Sequence, residues 1–127
     1  MNYNWENYGN FAQKIETLDI ADKETIIRNT ISRLFYHAYH CLEIWAEKKL
    51  GYKFIQGERT HACLYNHIKR NRHRDKADDY WELKRLREIC DYDDVPLDDL
   101  DSLLEEAKNY YKSIVGPLAK FSQKVDS

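Results

Sequence analysis

Apolar residues recur along most of the chain at the three- and four-residue steps of an α-helix, and no stretch shows the strict alternation of a convincing strand. Trp5, Tyr8, Phe11, Ala12, Ile15 and Leu18 mark a first amphipathic helix. The acidic stretch 19–24 supplies a cap and dipole-favourable charge for a second helix, expected over 22–50 and terminated by Gly51. Residues 51–58, GYKFIQGE, read as a linker between glycines. A shorter third helix, with Thr60 as candidate cap and Leu64, Tyr65 and Ile68 inward, gives way to the basic run KRNRHRDK at 69–76. Ala77, Tyr80, Leu83, Leu86 and Cys90 define a fourth helix that ends around 91–95. The last helix opens near Pro96, where a fixed φ suits a first turn. It carries the clearest apolar stripe, from Leu100, Leu103, Leu104 and Ala107 through Ile114 and Leu118 to Phe121, and Gly116–Pro117 should kink or break its end. The pattern predicts an all-α, up-and-down bundle of four or five helices, one domain over 1–127, with no internal repeat.

The second helix has two patterned faces. Ile27, Ile31, Leu34, Ala38, Cys41, Leu42 and Trp45 form a broad apolar stripe. Arg33, His37, His40 and Ile44 follow i, i+4, i+7, i+11 spacing beside it, with Tyr36 a little beyond. Such a mixed stripe suits a cleft wall or a subunit interface. A guanidinium holds a phosphoryl group through two N–H bonds, and an imidazole exchanges a proton near neutral pH. The same residues serve equally as a hydrogen-bond network in a partly buried helix. His37 and His40, three apart, lack a nearby carboxylate or thiol to complete a metal site, Glu43 excepted if the face turned, so no metal is expected.

Composition narrows the class. A chain of 127 residues is about one ordinary domain. Its 33% charged and 43% hydrophobic content fits a globular protein, and only four glycines and two prolines favour long helices over a turn-rich sandwich. The net charge of −2 gives no global attraction to nucleic acid, so any such binding is local. The best local candidate is the run with Lys69, Arg70, Arg72, His73, Arg74 and Lys76, where Tyr65 and Tyr80 offer flanking rings for base stacking. A solvated connector is the alternative. Asp91, Asp93, Asp94, Asp98, Asp99 and Asp101 form an opposing acidic patch, partly explained by the start of the last helix and otherwise suited to a basic partner or neighbouring subunit. Cys41, Cys63 and Cys90, odd in number and without CxxC spacing, read as reduced thiols within apolar patterns. No basic patch followed by an apolar run stands at the N-terminus, and no apolar run approaches ~20 residues. The expected location is cytoplasmic.

The order of short signatures resembles one family. RNTISRLFYHAYH (28–40) is similar to the "R-x-A-x-S-R-x-Y-Y-A-x-F-H" helix of the HEPN superfamily (higher eukaryotes and prokaryotes nucleotide-binding). ERTHACLYNHI (58–68) resembles its short following helix, LKRLREICDYDD (83–94) its "L-x-x-L-R-x-x-A-D-Y-d" segment, and DDLDSLLEEAKNYYKSI (98–114) its last helix. Arg33, Tyr36, His61, Arg87, Asp91 and Tyr92 fall on the motif positions, over about 10–120 of the chain. The resemblance implies a homodimeric helical bundle from a prokaryotic toxin–antitoxin, phage-defence or CRISPR-associated setting. It implies either a metal-independent ribonuclease without cofactor or a non-catalytic scaffold, with a cognate antitoxin, a nucleotidyltransferase or a defence-complex protein as the expected partner. In the first case His40 or His37 transfers the proton, Arg33 or Arg87 stabilises phosphate charge, and His61 lies near the same cleft. Arg33 and His40 meet the family's Arg–His spacing, although Leu34 follows the arginine and the pair stands on the earlier helix. Behind Arg87 stand Asp91 and Tyr92 where a histidine would be. A nucleotide-sensing module built on Arg33, Arg87 and the tyrosines is a third reading.

Overall fold

Helix dominates the computed structural model, which describes residues 3–17, 22–53, 59–92 and 99–124. Five α-helices follow in order: α1 (Glu6–Glu16), α2 (Lys23–Lys49), α3 (Thr60–Arg70), α4 (Arg74–Tyr92) and α5 (Leu100–Leu118), then a 3₁₀ turn, Ala119–Phe121. No strand occurs among the described residues. The chain is an all-α bundle. Within it α2 is the hub, packed against α1, α4 and α5 and more lightly against α3.

Local chemistry sets the boundaries. The Asp22 carboxylate accepts from Thr25 N at 2.9 Å and from the Thr25 hydroxyl at 2.8 Å, which satisfies an orphan donor of the first turn. Those bonds hold its pKa below the usual carboxylate value. Gly51 takes φ +67°, the left-handed conformation that ends a helix at no Cβ cost. Asp99 caps α5 through Ser102 N at 3.0 Å. The expected opening at Pro96 lies outside the described residues, as do Leu18, part of the 51–58 linker and Asp93, Asp94 and Asp98.

Three local expectations change. Thr60 is the first residue of α3 and not its cap; Arg59 precedes the helix and makes no side-chain cap bond. The basic run does not dissolve into a long connector: α3 continues to Arg70 and α4 begins at Arg74, leaving a three-residue corner at 71–73. Helix α5 runs through Gly116 and Pro117 to Leu118 before tightening. Proline withdraws the N–H that would bond the Ser113 carbonyl and crowds that carbonyl, and the loss is confined to the last turn because α5 tightens into the 3₁₀ turn directly afterwards.

Packing around α2 buries Ile31, Phe35, Ala38, Leu42 and Ile44 with Leu64, Ile68, Leu83, Leu86 and Ile114 from the other helices. On the α1 side, Gly9 lets the backbone approach His37 and Tyr111; a Cβ there would lie 2.7 Å from His37 Nδ1 and closer still to the Tyr111 hydroxyl. The 3₁₀ turn is tied back through Trp5 N donating to Ser122 O at 2.8 Å.

Two stability outcomes are expected. Glycine to alanine inside a helix normally gains about 1 kcal/mol, but Gly9→Ala should lower the melting temperature, because the collision with Tyr111 and His37 outweighs propensity. Arg72 holds φ 68°; relief of a left-handed penalty of about 1–2 kcal/mol exceeds the roughly 0.5–1 kcal/mol entropic cost of glycine. Arg72→Gly should therefore raise the melting temperature by a few degrees in a thermal denaturation monitored by circular dichroism.

Candidate functional site

The mixed stripe of α2 does not face one cleft. Its alternate members turn to different neighbours. His37 is buried against α5 and the 3₁₀ turn, with Nδ1 2.8 Å from the Tyr111 hydroxyl and Nε2 2.8 Å from Ser122 Oγ. Ser122 Oγ also donates to Ala119 O at 2.7 Å and lies 3.4 Å from Cys41 Sγ. Burial, helped by the charge on His40, pushes the His37 pKa down to about 4. Both ring nitrogens are thus occupied in a sealed network, and Ile44 is buried alongside.

Arg33 and His40 point towards α1. The Arg33 guanidinium lies 5.3 Å from the centre of the Tyr8 ring and 5.5 Å from that of Phe11. His40 stacks on Trp5 with ring centres 3.4 Å apart and planes 11° from parallel. Its Nδ1 is 3.5 Å from Glu43 Oε1, and Glu43 also accepts from the Tyr39 hydroxyl at 2.9 Å. Burial works to raise the Glu43 pKa, but the hydrogen bonds from His40 and Tyr39 prevail and hold it below the ordinary carboxylate value.

On the opposite flank of this stripe, α2, α3 and α4 bring together Arg87, His61, Tyr36, Asp91 and Tyr92. Arg87 is only 5% exposed. Its guanidinium carbon is 4.8 Å from the centre of the Phe35 ring, 5.8 Å from that of Tyr36 and 5.7 Å from that of Tyr92. Three aromatic faces offset part of the desolvation that a buried cation suffers. The polar contacts are long: Nη1 reaches Tyr92 Oη at 3.3 Å and Asp91 Oδ2 at 3.5 Å, beyond the usual N–H···O range. Among the described residues Nε has no hydrogen-bond partner although it is buried. An unmatched buried donor costs roughly 1–3 kcal/mol, so this arginine is held where it is under-used. Ser32 approaches the same Asp91 oxygen at 3.5 Å.

His61 completes this flank. It packs edge-on to Phe35 and Tyr39, and its Nδ1 is 2.7 Å from the Tyr80 hydroxyl. Burial, reinforced by the positive charges of Arg87 and Lys84, pushes its pKa down to about 4. A neutral imidazole this weakly basic gives little drive for proton abstraction at neutral pH.

The basic corner is exposed and contains Lys69, Arg70, Arg72 and Arg74. Tyr80, expected to be a stacking ring, is 0% exposed and packs against Phe35, Tyr39 and His61. The accessible ring is Trp81, whose place between two inward positions of α4 gives a usable signal in the helical period. Arg28 is a second residue the spacing argument passed over: Nη1 donates to Ile89 O at 3.1 Å and Cys90 O at 2.9 Å, closing the end of α4 beside Arg87. The described part of the acidic patch has structural employment, Asp99 as a cap and Asp101 in a 3.0 Å bridge to Lys23. A groove of about 220 Å³ between α1 and α5, lined by Gln13, Leu34 and Tyr111 among others, lies away from Arg87. Cys41 and Cys90 are buried thiols, and burial raises both to about 11. Among the described residues no three His, Cys, Asp or Glu side chains gather as metal ligands, and no helix is long and apolar enough to cross a membrane.

The depressed histidines set a pH dependence. The unfolded chain protonates His37 near its ordinary 6.5, whereas the folded chain resists until about pH 4. Stability from this group is therefore complete above pH 6.5 and falls as the pH drops through about 4. The loss is on the order of 3 kcal/mol for His37, with His61 adding in the same direction. Denaturant unfolding followed between pH 7 and pH 4 should show this decline, and His37→Gln should flatten part of it. Compared with protein-family models, with curated proteins and with solved structures, the chain gives no match.

Proposed function

We propose that this chain is a small HEPN-like RNA-binding subunit of a prokaryotic toxin–antitoxin or phage-defence system, one that holds RNA phosphate without cutting it. The observation that carries the reading is Arg87: a buried guanidinium with an unmatched Nε and long contacts to Asp91 and Tyr92. Phosphate oxygens approaching beside the exposed Tyr92 ring, with Asp91 displaced from Nη1, would satisfy that fork better than the present contacts do. The HEPN resemblance, which rests on the sequence motifs, supplies the biological setting, the expected homodimer and the expectation of a partner such as a cognate antitoxin or nucleotidyltransferase.

Binding is favoured over cleavage because the candidate acid–base groups are poorly disposed for proton transfer. His37 has both nitrogens matched inside the bundle, and His61 beside Arg87 is a weak base. Arg33 lies against the Tyr8 and Phe11 rings of α1, whereas His40 stacks on Trp5 just before that helix. The metal-independent ribonuclease reading keeps one favourable feature, the presence of His61 and Arg87 on one flank.

The test measures binding and cleavage together. Purified protein mixed with end-labelled single-stranded RNA should retard it while leaving it intact, with or without chelator. Tyr92→Ala, at a position 73% exposed, should weaken binding about fivefold through the lost ring. Arg87→Lys, checked for folding by circular dichroism, should weaken it further. Unchanged affinity in both variants would remove this site from the reading. Chelator-resistant cleavage that disappears in Arg33→Ala or His40→Ala would replace binding with catalysis.

A further inference from the structure

The outer face of the α3–α4 hairpin carries a feature that the Arg87 centre does not use. Tyr65 and Trp81 meet across the two helices with ring centres 4.6 Å apart and planes 41° apart. Trp81 is 39% exposed, although tryptophan is on average highly buried. Each ring is attended by an ammonium: Lys69 Nζ lies 5.6 Å from the Tyr65 centroid and Lys84 Nζ 4.6 Å from that of Trp81.

Charge around the pair is asymmetric. Lys69 begins the basic corner that continues through Arg70, Arg72 and Arg74, and none of these four makes an ion pair among the described residues. The nearby carboxylates are mostly engaged: Glu82 with Arg85, Glu88 with Lys84, and Asp79 as acceptor from Ser113. Asp78, one turn before Trp81, and the exposed Asp75 inside the basic corner are opposing charges here. In a protein of net charge −2, cations concentrated beside two accessible rings complement a polyanion whose bases are free to stack.

We propose that Tyr65 and Trp81 form a stacking platform for unpaired bases of single-stranded RNA, with Lys69 moving from the Tyr65 face to an adjoining phosphate and Lys84 exchanging Trp81 and its Glu88 partner for another. A base has a π-face of its own and replaces the ammonium against Trp81, while the flexible lysine stem lets the charge follow the backbone. The platform lies about two turns of α4 from Arg87, since Trp81 precedes it by six positions at ~1.5 Å each. A strand can therefore cross from the corner past the rings towards Tyr92. This inference rests on the RNA-binding reading and adds to it the strandedness of the ligand and a second contact point.

The test uses the whole protein and a short fluorescein-labelled oligouridine, read by anisotropy and by intrinsic tryptophan emission. Trp81→Ala should weaken binding about tenfold, Trp81→Phe should retain most of the affinity, and Tyr65→Ala should follow Trp81→Ala. Quenching on titration should be present in the wild type and much reduced in Trp81→Phe, because Trp5 stacks on His40 away from the pair and Trp45, which meets His73 and Lys76 at the corner, is buried. The same strand annealed to its complement should bind Trp81→Ala and wild type alike, since duplex bases are already stacked. Equal oligouridine affinity for wild type, Trp81→Ala and Tyr65→Ala overturns the platform. If Arg87→Lys nevertheless weakens binding, the RNA-binding reading stands without it; if the wild type binds no oligouridine, both fall.

Discussion

Enclosure of α2 by α1, α4 and α5 is the constraint on which the other features depend. A helix of 27 residues surrounded on several sides cannot remain a simple amphipath, so its polar residues must find partners where they stand. Thr30 turns its hydroxyl back to Ile26 O at 2.8 Å, His37 is matched by Tyr111 and Ser122, and Arg28 closes the end of α4. These bonds also hold the bundle together. His37 in particular joins α2 to α5 and to the C-terminal turn, while Gly9 keeps α1 close enough to cover it.

The same enclosure creates the division between matched and under-matched polar groups. Around His37 each named polar atom has a short partner. Around Arg87 the fold places three rings but only long contacts, and leaves Nε without an acceptor. In a medium of low effective dielectric, that difference separates a structural network from a place where an incoming anion gains more than it displaces. Arg33 and His40 occupy a middle position, half-buried against the aromatic residues of α1 and of the segment just before it. The proposal of binding without cleavage draws on this distribution, because the imidazoles held most firmly are also those burial makes least basic.

Helical period, the acidic cap of α2 and the glycine at 51 were legible along the chain, and the five helices appear where the apolar spacing puts them, apart from boundaries of a few residues. Those signals are local: a carboxylate at Asp22, a left-handed φ at Gly51 and a stripe of leucines act within one or two turns. The exposed basic corner was legible for the same reason, since charged side chains between two helices have nowhere to be buried.

Partner choice was not local. Spacing put Arg33, His37 and His40 on one stripe, yet a few tens of degrees around α2 decide whether a side chain meets α1 or α5, and no period in the sequence states which helix lies there. It likewise showed Tyr80 and Trp81 as adjacent rings without revealing that the first is sealed in the core and the second faces outward. Tertiary packing alone gathered His61 and Arg87 across three helices and withheld an acceptor from Nε. The chain thus determined, by short-range hydrogen bonding and apolar periodicity, that it would be a helical bundle with a basic corner. Which of its polar side chains are consumed and which remain available was settled only when distant helices closed around them.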